Sequence, residues 1–127
     1  MSVGLLLVTH EHIGEQLLNA ARATMVSDIR SQSISVSPRN TPEQIRETIA
    51  HALNQLDDGD GVLVLCDLFG ATPCNCACLA QCDKVRVITG CNRAMVLKIF
   101  NYAHLDIESL ARKALEGGKD HIFEAHP

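Results

Sequence analysis

No stretch of this chain is apolar for long enough to cross a bilayer. The first hydrophobic run, Val3 to Val8, falls well short of the roughly 20 residues a spanning helix needs. No positive leader precedes it and no small-residue cleavage pattern follows, so it does not read as a secretory signal. The expected location is therefore cytoplasmic. Runs of Lys or Arg are missing too, and 11 basic against 15 acidic residues give a formal charge of -4. That argues against nucleic acid as a partner. Neither Gly-x-x-x-x-Gly-Lys-Ser/Thr nor Gly-x-Gly-x-x-Gly occurs, which removes the two common nucleotide-binding signatures. Internal repeats, linkers and low-complexity segments are absent.

What is present is an ordinary globular composition, 46% hydrophobic and 20% charged over 127 residues, enough for one domain with one core. Six cysteines in such a chain read as free thiols, since disulfide scaffolds belong to short secreted chains with poor cores.

Strand and helix patterns alternate. Val3 to Val8 is a continuous apolar run, as in a strand covered on both faces. Ile13, Leu17, Ala20, Ala21 and Met25 recur at helical spacing. Ser33 to Val36 is a second strand closed by Pro38. Thr41, Pro42 and Gln44 form a capping box at the head of a second helix. After the turn Asp58 to Gly61, Val62 to Cys66 is a third buried strand. Thr72-Pro73 opens a third helix reaching about Cys82, and Val85 to Thr89 is a fourth strand. Asn92 caps a fourth helix to about Tyr102 and Asp106 a fifth, which Gly117-Gly118 is expected to stop. His121 to Glu124 is expected as a short edge strand. The alternation implies an α/β, doubly wound domain over 1–127, with a mainly parallel sheet of four strands and helices on both faces.

In such sheets ligands bind beyond the carboxyl ends of the strands. Four segments meet that description: Thr9 to His12, Val36 to Pro38, Asp67 to Pro73, and Gly90 to Asn92. His10 ends one strand and Asp67 another, on the same sheet edge if those strands are neighbours. A carboxylate can hold one imidazole nitrogen protonated so that the other presents its lone pair, which suits a phosphoryl acceptor. The loop Leu68 to Pro73 offers backbone N–H groups and a helix start, favourable for an anion. The Thr72 hydroxyl can cap that helix or donate to a phosphate, not both at once.

Rival chemistries fail on required residues. A Cys66 nucleophile of the phosphatase kind needs an Arg six positions on, where Thr72 stands. A receiver domain needs acidic residues after the first strand, where His10 and His12 flank Glu11. Cys74, Cys78 and Cys82 share a helical face while Cys76 points elsewhere; small residues against the sheet explain them better than a metal, and no metal site is assigned. His12 either supports the site or starts the first helix, and His51, His104, His121 and His126 receive no role.

Val8-Thr9-His10 and the segment Asp67 to Asn75, together with Gly90 to Asn92 and the element order, resemble the mannose/fructose/sorbose class of enzyme IIA domains of the bacterial sugar phosphotransferase system. The resemblance spans nearly the whole chain. It implies that His10 is phosphorylated, that Asp67 is its hydrogen-bonding partner, and that Thr9, Gly70, Ala71, Thr72 and Asn92 shape the phosphoryl pocket. It implies the carrier HPr as donor, an enzyme IIB as acceptor, no metal or cofactor, and contact with the membrane only through permease subunits. A homodimer in which the tail lends a strand to its partner is also implied. A different outcome keeps the same fold and His10 but makes the chain a regulator that signals by phosphorylation-dependent protein binding. Service to a dihydroxyacetone kinase fits less well, because such domains have a different loop after the aspartate. Two departures stand out: Ala71 replaces a common second glycine, and Glu11 replaces a glycine that often follows the histidine. Ala71 can still present its N–H provided its φ is not positive.

Overall fold

The computed structural model describes residues 2–126. The strands are β1 Gly4–His10, β2 Ser31–Val36, β3 Val62–Cys66 and β4 Val85–Thr89. The helices are α1 Ile13–Thr24, α2 Pro42–Leu56, α3 Thr72–Cys78, α4 Arg93–Asn101 and α5 Ile107–Asp120. All strands run parallel in the order β2-β1-β3-β4, so β1 and β3 are the inner pair.

The apolar runs of β1 and β3 serve two cores, because successive side chains of a strand point to opposite faces. Leu5 and Leu7 of β1 and Leu63 and Leu65 of β3 face α1, α4 and α5, meeting Leu18, Val96, Ile99 and Leu110. Leu6, Val8, Val62, Val64 and Cys66 face the other way onto α2 and α3, meeting Ile45, Ile49, Leu56, Cys74 and Ala77. Covering both faces is what a parallel sheet requires and why these strands carry no polar alternation.

The helix starts follow their caps. Thr41 Oγ1 accepts from the Gln44 amide at 3.2 Å while Gln44 Oε1 accepts from the Thr41 amide at 3.0 Å, a complete capping box. Asn92 and Asp106 cap α4 and α5, accepting from the Met95 and Ser109 amides at 2.9 and 2.8 Å.

Four expectations are corrected. Gly117 and Gly118 do not end α5 but lie buried inside it. A Cβ on Gly117 would sit 2.5 Å from Lys98 Cβ, and one on Gly118 2.7 Å from Met95 Cε, so the pair lets α5 lie close against α4. The third helix stops at Cys78 rather than Cys82; the chain then turns, and Cys82 bridges to Val85. Cys82 thus leaves the expected face and is exposed, whereas Cys76 is buried. Residues 121–124 are turn and coil, not a strand. Strand β2 also begins earlier than its alternation suggested, because Ser31 pairs with Leu5.

Candidate functional site

Sheet register brings the site together. Val8 pairs with Cys66 and His10 with Val36, so Asp67, one residue beyond β3, lies beside the end of β1. His10 Nδ1 contacts Asp67 Oδ2 at 3.0 Å, and the His10 amide donates to the same oxygen at 3.3 Å. One carboxylate oxygen thereby holds both the ring and the backbone of His10. Its other oxygen, Oδ1, is buried with no hydrogen-bond partner among the described residues. The His10 side chain is 44% exposed against 14% for Asp67, so the imidazole is anchored from beneath and open above. An ionised carboxylate only accepts, which places the proton on Nδ1 and the lone pair on Nε2.

Thr9 is fully buried, and its Oγ1 accepts from the Gly14 amide at 2.8 Å. It caps α1, a task the formal N-cap His12 leaves undone. Thr9 therefore fixes the chain after His10, with its side chain turned into the fold. Glu11 takes φ 47, the left-handed region in which a glycine costs nothing, and its amide donates to the Val36 carbonyl at 2.8 Å. The glycine common at this position has a backbone reason, and here an exposed acidic residue bears that geometry. His12 leans away, with Nδ1 at 3.0 Å from Glu15 Oε2 and 3.3 Å from Ser35 Oγ.

Across from His10 lies the loop into α3. Gly70 is exposed with φ 88, and its carbonyl accepts from Asn75 Nδ2 at 3.1 Å. Ala71 has φ -83, so a β-carbon is tolerated there, and its amide reaches the Leu68 carbonyl only at a long 3.4 Å. The N-cap of α3 is Ala71, not Thr72; the Thr72 hydroxyl is therefore free of capping duty. His10, Glu11, Ser37, Asn40, Thr72 and Pro73 line a cleft of about 230 Å³. Asn40 was not singled out by sequence reasoning; its one signal was its place between the second strand's loop and the Thr41 cap.

Gly90 to Asn92 approaches from β4. Burial and the negative charge of Asp67 push the Cys91 thiol up to about 11, which keeps it protonated beside the carboxylate. Asn92 spends its side chain on structure, with Oδ1 on the Met95 amide and Nδ2 on the Gly118 carbonyl at 3.1 Å. Leu68 and Phe69, 62% and 73% exposed, form an apolar tip on the loop beside His10, another feature sequence reasoning passed over. Among the described residues no three His, Cys, Asp or Glu side chains are grouped so as to hold a metal ion.

Known proteins share this arrangement of strands. The mannose/sorbose specific IIA subunit of the phosphotransferase system from Enterococcus faecalis superposes with a TM-score of 0.87 at 24% identity, over 100% of this chain and 97% of that one. The phosphotransferase system component EIIA from Streptococcus agalactiae gives 0.84 at 19% identity, over 96% of each chain. At such identities the likeness establishes the fold. The PTS system mannose-specific EIIAB component of Escherichia coli is 29% identical over 126 residues, which is 96% of this chain and 39% of that protein. The chain thus spans well under half the length of the curated relatives it matches. A family model described as PTS system fructose IIA component, EIIA-man, matches residues 4–115, from the first residue of β1 into α5 and across every segment of the cleft. On that match the chain belongs to the mannose-type enzyme IIA family of the phosphotransferase system.

Proposed function

We propose that this chain is a phosphocarrier: His10 takes a phosphoryl group from the phosphohistidine of HPr and passes it to an enzyme IIB during sugar uptake. The observation that carries the reading is the 3.0 Å contact of His10 Nδ1 with Asp67 Oδ2. It leaves Nε2 as the nucleophile. The Nε2–P bond forms as the donor's N–P bond breaks, with the phosphoryl group in line between two imidazole nitrogens. Once Nε2 carries phosphorus and Nδ1 keeps its proton, the ring is positively charged, and the Asp67 carboxylate balances that charge. The loop amides from Gly70 to Thr72 and the Thr72 hydroxyl donate to the phosphoryl oxygens, a role that needs no metal and no cofactor. Thr9 and Asn92 act one step back, by fixing the loops that end β1 and β4. Transfer to enzyme IIB runs the same displacement in reverse.

The exposed Leu68 and Phe69 offer a partner protein an apolar contact next to the reacting nitrogen. Ile122 and Phe123, 75% and 72% exposed beyond α5, give a second copy of the chain a comparable hold, in keeping with a homodimer. A cytoplasmic location follows from the two proposed partners.

The deciding measurement is intact mass after incubation with phosphoenolpyruvate, enzyme I and HPr. One phosphoryl addition is expected, removed by mild acid and missing in His10→Ala. Equal addition on that variant would sink the assignment of His10.

A further inference from the structure

The cysteines beneath the cleft are not used by phosphoryl transfer. All six are free, and three of them, Cys66, Cys74 and Cys78, stack from the end of β3 onto one face of α3. Cys74 Sγ and Cys78 Sγ stand 3.9 Å apart. Cys74 is 1% exposed, and Cys78 is partly exposed as the last residue of the helix. We propose that Cys74 and Cys78 form an oxidant-sensitive thiol pair that closes to a disulfide across the last turn of α3.

The geometry permits closure. Residues four apart on a helix rise about 6 Å along its axis, within the Cα range that a disulfide spans. The last turn must tighten to bring their Cβ atoms from about 5–6 Å to roughly 4 Å. The sulfurs must close from 3.9 Å to about 2 Å. That movement falls at a helix end already tightening, where the Ala80 amide donates to Ala77 at 3.0 Å and Gln81 to Cys78 at 3.1 Å. Of the two, Cys78 is the one open to an oxidant from solvent, and Cys74 waits behind it, which sets the order of events.

With a peroxide as oxidant, the Cys78 thiolate attacks one peroxide oxygen. The S–O bond forms, the O–O bond breaks, and hydroxide leaves to take up a proton. Cys74 sulfur then attacks the sulfenic sulfur of Cys78; the S–S bond forms and the sulfenic oxygen departs as water. Two thiols and one hydrogen peroxide become one disulfide and two waters. Burial and the neighbouring Cys74 thiol hold the Cys78 thiol above its ordinary value, so the thiolate is scarce at neutral pH and the step is slow. A slow pair answers sustained oxidant rather than a brief pulse. This inference stands apart from the phosphoryl reading and is tested without it.

The full chain is treated with hydrogen peroxide, free thiols are blocked with iodoacetamide, and the sample is reduced and labelled with N-ethylmaleimide. Fragment ions then locate the second label. We expect loss of two hydrogens in the intact mass, the second label on Cys74 and Cys78, and reversal by dithiothreitol. The rate should rise about tenfold per pH unit below the Cys78 value, as the thiolate fraction does. Cys78→Ser should abolish the link and Cys82→Ser should leave it unchanged. Six alkylatable thiols after peroxide, a link from Cys74 to Cys66, or a Cys82-linked dimer with Cys78 free would each overturn the proposal.

Discussion

At the amino end of the sheet, polar groups close on one another. Asp57 Oδ1 accepts from the Gly59 and Gly61 amides at 2.9 and 3.0 Å. Arg30 donates to the carbonyls of Leu56 and Ser2 and pairs with Asp58 at 3.3 Å, while Lys84 Nζ donates to the Gly59 carbonyl. At the carboxyl end, the same strands carry the His10–Asp67 contact but finish in groups that are only partly satisfied. Among the described residues Asp67 Oδ1 has no partner, Glu11 sits at φ 47, and Leu68 and Phe69 face outward. Unsatisfied acceptors and strained backbone cost stability, and they persist where chemistry uses them. One edge is sealed by its own hydrogen bonds, and the other leaves an acceptor and apolar side chains open.

The sharpest way to break that contrast uses two glycines of nearly equal φ, Gly61 at 89 and Gly70 at 88. A Cβ on Gly61 would meet the Lys84 carbonyl oxygen at 2.5 Å, whereas one on Gly70 has nothing within 4 Å. Gly61→Ala should therefore lose roughly 3 kcal/mol in urea unfolding, strain and clash together. Gly70→Ala should lose about 1 kcal/mol, from the left-handed backbone alone. Equal losses would mean that the two edges are built alike.

The next effect is on activity. Asp67→Asn keeps the shape but removes the fixed charge and can turn a donor toward His10. Phosphoryl uptake should fall on the order of a hundredfold, while unfolding free energy shifts by less than about 1 kcal/mol. A variant that loses stability instead would place Asp67 with the sealed edge.

The smallest effect is a pH dependence at that sealed edge. The Gly59 and Gly61 amides hold the Asp57 carboxyl below the ordinary aspartate value of 3.8. Its extra stability is therefore complete above that value and lost as pH falls through the lower, folded one. Asp57 is exposed to solvent, so the contribution is at most ~1 kcal/mol. Urea midpoints of the wild type and Asp57→Asn should differ at neutral pH and converge on acidification. A gap that stayed constant would show that the charge contributes nothing.

Much of this architecture could be read from local signals that have a single physical meaning. Unbroken apolar runs mean strands covered on both faces, and β1 and β3 are such strands. The Thr41 and Gln44 spacing means a capping box, and it is one. His10 and Asp67 needed only the neighbouring of their strands, which the sheet order supplies. The misreadings fall on residues whose meaning depends on a partner out of sight in the sequence. Gly117-Gly118 can end a helix or let another helix approach, and only the position of α4 decides. Leu79 and Ala80 extend the helical pattern beyond Cys78, but the bridge from Cys82 to Val85 turns the chain first. Thr9 was expected in the pocket from the resemblance, yet its hydroxyl faces α1 because Gly14 leaves room for it.

The strand order also sets when the site can come into being. His10 and Asp67 are 57 residues apart in the chain, and β1 lies between β2 and β3. As the protein is synthesised, β1 is complete long before β3 exists to flank it. Long-range parallel pairing is slow to form, since the intervening chain must be closed before any contact rewards the closure. Any arrangement of the chain in which β3 is not docked on β1 therefore lacks the Asp67 contact that holds the His10 ring. The contact that orients the ring arrives only with that docking.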